Sequence, residues 1–97
     1  MNIYDYLSPK SGENFTTLLE YKNIKINRIV SAANIEPIEY IQEEDEWLVL
    51  LEGEATVAID NHEKILTKGE TLFIPAKTPH SVLKTSSNTM WLTVHIF

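Results

Sequence analysis

The sequence predicts an all-β protein of antiparallel strands, folded as a sandwich or small barrel. Three observations carry that expectation. From Phe15 onward apolar residues alternate with polar ones at period two, turn residues punctuate the alternation at short intervals, and almost nothing is left over for helices. A parallel sheet would need crossover helices that the chain has no room to supply.

The strands are expected at FTTLLE (15–20), NIKINRIV (23–30), IEYI (38–41), WLVLLE (47–52), EATVAID (54–60), EKILT (63–67), TLFI (71–74), HSVLKT (80–85) and TMWLTVHIF (89–97). Between them lie residues suited to turns. Gly53 separates two apolar runs, Asp60-Asn61 precedes His62, Lys68-Gly69 precedes TLFI, and Pro75 and Pro79 bracket a short connection. Gly69 stands where a tight turn wants a positive φ, and Pro79 stiffens the backbone just ahead of His80. Only MNIYDYLS could form a helical turn, and its length makes an isolated helix marginal. The segment 1–14 reads as an N-terminal extension of one domain spanning 1–97.

Ninety-seven residues hold one hydrophobic core. Eight lysines and arginines against fourteen aspartates and glutamates give an acidic balance that disfavours binding to nucleic acid or anionic lipid, since both need clustered positive charge. No cysteine is present, which removes disulfides and thiolate metal sites, and no run of about eighteen apolar residues suggests a membrane span. A cytoplasmic protein is expected. FTTLLE offers an apolar edge that association into a homodimer would cover.

Two segments carry a more specific pattern. In EWLVLLEG, Glu46 and Gly53 are separated by six residues. In GETLFIPAKTPH, Gly69 and Pro75 are separated by five, with His80 at the head of the next strand. The order and spacing resemble the two motifs of the cupin superfamily, and the resemblance covers residues 38 to 97. It implies a cupin-like antiparallel jelly-roll β-barrel. The acidic segment QEEDEW (42–47) is also similar to that of a subgroup of small uncharacterised cupins. The chain departs from the pattern at several places. Tyr40 and Gln42 stand at the spacing of the usual His-x-His pair, Lys77 stands where a glycine is expected two residues after Pro75, and Lys84 stands where an asparagine is expected four residues after His80.

The candidate site follows from these residues. In a regular strand Glu46, Leu48 and Leu50 share one face, and Trp47, Val49 and Leu51 share the other. Both faces are apolar, so the motif match is what turns Glu46 inward. Glu43 and Asp45 are then expected in solvent, with Glu44 undecided. A buried carboxylate needs a cation or hydrogen-bond donors, and His80 is the best-placed partner. A bound metal, a protonated His80, or Tyr40 and Gln42 as neighbours would each satisfy it. Glu46 and His80, with Gln42 as an amide-oxygen ligand, suit a divalent ion such as zinc, iron, manganese or nickel.

His95 has two readings. Met90, Leu92, Val94 and Ile96 form an aliphatic face, which would be core and leave His95 outside. Alternatively Trp91, Thr93 and His95 look into the cavity, where His95 would complete the ligand set. Tyr40 and Trp91 are then ligand contacts. His62 is expected to be exposed in its hairpin turn, and Trp47 to pack in the core or at a subunit contact. The functional reading is a barrel-interior pocket that binds a divalent metal or small ligand, with no assigned reaction. The alternatives are a metal-free binding module and a structural oligomerisation domain.

Overall fold

A computed structural model describes residues 1–33 and 35–97. Nine strands are formed: β1 (Glu13–Tyr21), β2 (Ile24–Ser31), β3 (Glu39–Tyr40), β4 (Asp45–Glu52), β5 (Ala55–Ile59), β6 (His62–Leu66), β7 (Thr71–Ile74), β8 (His80–Thr85) and β9 (Thr89–Ile96). Each coincides with an expected segment to within two residues at either end. There is no helix among the described residues. The N-terminal stretch makes only a single turn, in which the Asp5 amide donates to the Asn2 carbonyl at 3.0 Å.

The strands form two antiparallel sheets, ordered β1-β2-β9-β4-β7 and β3-β8-β5-β6. Together they make the cupin-like jelly roll expected from the motifs. Strands distant in sequence are neighbours in space: β9, the last, lies between β2 and β4.

Turn chemistry sets the geometry. Asp60 and Asn61 both have positive φ, as a two-residue type I′ hairpin requires, and they place His62 in solvent at the start of β6. Gly53 has φ +86°, and a Cβ there would meet the Thr89 backbone and hydroxyl at 2.8 and 2.5 Å. No other residue type fits. Gly69 has the expected positive φ, but open space surrounds it.

The core lies between the sheets and contains Leu48, Leu50, Ala55, Val57, Leu66, Ile74 and Trp91. Side chains opposite each other across a ladder share a face. One row on the inner face of the larger sheet therefore runs His95, Glu46, Ile74, and the next runs Asn27, Thr93, Leu48, Leu72. The outer face carries the row Ile26, Val94, Trp47, Phe73. Trp47 is 38% exposed there, so the expectation of core packing for it fails.

Of the aliphatic face of β9 only Met90 is fully buried, and the rest does not line the interior. Trp91 and Thr93 are buried on the inner side, while Leu92 and Val94 are half-buried outside. Polar atoms can occupy the interior where they are paired, as most are; Asn27 Oδ1 and Arg28 Nε are buried without a partner. The Trp91 indole donates to Ser31 Oγ at 3.1 Å, and the Ser31 hydroxyl donates to Glu13 Oε2 at 2.6 Å. Pairing removes most of the cost that would otherwise exclude them.

Candidate functional site

A cavity of about 150 Å³ lies between the two sheets. Its walls are aliphatic, with Leu48, Val57, Ile59, Leu72, Ile74 and Val82 contributing. Tyr40, Gln42, Glu46, His80, Trp91 and His95, the six residues singled out in the sequence, all line it. Phe15 and Tyr40, both partly in solvent, lie on its open side.

Glu46 projects from the start of β4 and is 6% exposed. Its Oε1 accepts from the Gln42 side-chain amide at 3.0 Å. The same oxygen lies 4.0 Å from His80 Nε2 and 4.0 Å from His95 Nδ1, too far for a direct hydrogen bond to either.

His80 opens β8 immediately after Pro79. Its Nδ1 lies 2.9 Å from the Thr78 carbonyl, which can only accept, so Nδ1 carries the proton. In the neutral ring Nε2 is then a bare lone pair aimed at Glu46. The Tyr40 ring stacks on the imidazole with centroids 5.9 Å apart and an interplanar angle of 28°. Burial, followed by the nearby Glu13 carboxylate, raises the pKa of Tyr40 above its ordinary value.

His95 faces the cavity, as the second of its two readings has it. Its Nδ1 donates to Glu44 Oε2 at 2.9 Å, and Nε2 lies 3.1 Å from Thr93 Oγ1. With Nδ1 protonated, the neutral ring accepts the threonine hydroxyl proton at Nε2. Glu44, left undecided by the sequence, is thus an inner carboxylate. Thr93 lines the cavity with Trp91 and His95, as that second reading has it, whereas the sequence reading does not single out Asn27. Nothing in the local sequence marks Asn27, whose place follows from its pairing with Thr93 in the β2–β9 ladder.

The other acids divide. Glu43 is exposed, beside Lys77 at 3.9 Å. Asp45 is half-buried rather than free in solvent, because its Oδ1 accepts the Ala76 amide at 2.8 Å and so holds the β7–β8 connection. In that connection Lys77 has φ +63°, and the Thr78 amide donates to the Pro75 carbonyl at 3.3 Å. Lysine therefore occupies a left-handed turn position that suits glycine. The Lys77 amide donates to the Gln42 carbonyl at 2.6 Å, so this strained turn anchors the segment that carries Gln42.

As placed, the donors do not fit a metal ion. Both nitrogens of His95 are engaged by protein groups, and Gln42 presents its NH2 group to Glu46. An ion between Glu46 Oε1 and His80 Nε2 at 4.0 Å would sit almost on the line joining them, given bond lengths of about 2.0–2.2 Å, and not at a tetrahedral angle. Among the described residues no group of three or more histidines, cysteines or acids converges for an ion.

The cupin domain family matches residues 31–95. The chain belongs to the cupin family. Cupins often bind metals, so the poor fit here is a property of these particular residues. This cupin is similar to a candidate mannose-6-phosphate isomerase of Ralstonia eutropha JMP134, with 32% identity over 99% of this chain and 95% of the other and a TM-score of 0.88. It is 31% identical to an uncharacterised protein of Methanocaldococcus jannaschii, over 81% of this chain and 70% of its relative. The fold is shared with a cupin superfamily protein of Desulfitobacterium hafniense DCB-2 at 18% identity, covering 95% and 84% of the two chains with a TM-score of 0.82.

Proposed function

We propose that this cupin binds a small molecule between its sheets, with Glu46 and His80 as the polar head of an otherwise apolar pocket. The gap between those two groups carries the reading. A neutral His80 Nε2 and a Glu46 carboxylate are both acceptors, and at 4.0 Å neither satisfies the other. A bound donor between them satisfies both, and His80 Nε2 is free to take a proton from it. No reaction is assigned to the pair.

The divalent ion suggested by Glu46, His80, Gln42 and His95, whether zinc, iron, manganese or nickel, would require His95 to leave Glu44 and Thr93. Metal analysis of protein purified without a polyhistidine tag separates the readings. One equivalent of metal in the wild type, lost in Glu46→Gln and His80→Ala, would replace the present proposal. The phosphosugar in the name of the Ralstonia relative is not carried over, because no lysine or arginine is among the residues lining this cavity to pair a phosphate. A cytoplasmic setting is supported by the lack of cysteine.

A thermal-shift screen of small metabolites tests the binding reading. At a hundred times its Kd a ligand stabilises the fold by about 2.7 kcal/mol, an increment that should vanish in His80→Ala. A screen with no stabilising compound, or a stabilisation that survives His80→Ala, contradicts it.

A further inference from the structure

Acceptors predominate among the polar groups that line the cavity, although the Tyr40 and Ser81 hydroxyls and the Asn27 amide nitrogen can still donate. Glu46 is a carboxylate with a single side-chain donor, Gln42. His80 spends its proton on the Thr78 carbonyl. With His95 neutral, the Thr93 hydroxyl donates to it while the imidazole's own proton goes to Glu44, so Thr93 turns only lone pairs to its surroundings. Asn27, opposite Thr93 in the β2–β9 ladder, has a buried Oδ1 with no hydrogen-bond partner. Glu13 adds a second carboxylate to the lining.

Five strands thus bring acceptors to one cavity. Its lining histidines can become cations at His80, beside Glu46, and at His95, where a second proton would reverse the Thr93 hydrogen bond and keep the one to Glu44. Even with both protonated, the carboxylates of Glu13, Glu44 and Glu46 outweigh the two charges. An anion entering here would be desolvated against like charge, whereas a molecule rich in N–H or O–H groups would satisfy atoms that are otherwise unpaired.

We propose that the cavity takes a compact neutral or cationic hydrogen-bond donor with an apolar body, a ring-sized alcohol or amine, and rejects carboxylates and phosphates. The inference rests on the binding reading above and names the ligand class for the same site. Size follows from the volume, since a cavity of about 150 Å³ holds a ligand of benzene dimensions.

Four matched probes test it: benzyl alcohol, benzylamine, benzoate and phenyl phosphate, titrated into the labelled full chain while the two tryptophan indole N–H signals are followed by NMR. Trp91 lines the cavity and Trp47 lies on the outer face, so Trp47 serves as an internal control. The expected result is movement of the Trp91 signal alone, with the alcohol and amine binding at least about tenfold more tightly than either anion. Glu46→Gln should narrow that ratio to about threefold or less, and Asn27→Ala should weaken the alcohol and amine without helping the anions; melting curves show that both variants are folded. Anions that bind as well as the donors, with the Trp91 signal moving, overturn the ligand class and leave the pocket reading standing. If none of the four moves Trp91, both fall.

Discussion

Glu46 illustrates how a buried group can be held for use at the expense of stability. Its carboxylate has one side-chain donor, Gln42, and lies 4.0 Å from each of two imidazoles. A buried charge so thinly compensated is costly, and functional sites commonly retain such costs. Glu46→Gln is therefore expected to leave stability unchanged or raise it by about 1 kcal/mol in chemical denaturation, while binding of hydrogen-bond donors is weakened. A loss of more than about 2 kcal/mol would mark Glu46 as a structural bond instead. Thr93→Val should cost about 1–2 kcal/mol, since it strips the buried His95 Nε2 of its partner. Lys77→Gly should gain about 0.5–1 kcal/mol by relieving a left-handed lysine in a turn. Tyr40 titrates with a raised pKa, so its neutral form contributes stability below its ordinary value near 10.0 that is lost as pH rises through the folded-state value. Tyr6 is shifted the same way, first by its own burial. Tyr40→Phe should accordingly remove part, not all, of the fall in stability between about pH 9 and 11.

Among the elements, β7 and β8 could be read from sequence to the residue because TLFI and HSVLKT are bounded by glycine and proline, which fix φ or remove a donor. What parity could not supply was which side of a strand faces inward. In β4 both sides are apolar, and the outer row Ile26, Val94, Trp47, Phe73, in which Trp47 and Phe73 are exposed, shows why: the outer face of the larger sheet is itself apolar. In β9 the aliphatic side misleads, because Trp91, Thr93 and His95 enter the interior with their hydrogen bonds already made. Those partners, Ser31 and Glu44, are 60 and 51 residues away and leave no local trace. The same limit hid the role of Arg28 on β2. Its guanidinium donates to the Ile3 and Asp5 carbonyls at 3.1 and 3.2 Å and lies 5.4 Å from the Tyr6 ring, tying the N-terminal stretch to the sheet. Arg28→Ala should cost about 2 kcal/mol and increase amide exchange over residues 3–6; unchanged exchange would contradict that tie.

At the scale of the whole molecule, β1 is an edge strand, bulged between Thr17 and Leu19, with Phe15, Leu19 and Tyr21 exposed. A homodimer that covers this edge is our expectation, and light scattering should return twice the 11.1 kDa chain mass. Introducing lysine at Leu19 should then yield a monomer that keeps its fold, whereas a wild type already monomeric would remove the proposal. The central claim lies deeper, in the space between the sheets, where His80 turns an unprotonated nitrogen toward an acid it does not touch. Long-range proton–nitrogen NMR correlation of the imidazoles, recorded where they are neutral, reads this directly. The account predicts that His80 carries its proton on Nδ1 with Nε2 bare; a proton found on Nε2, with Nδ1 bare, would contradict it.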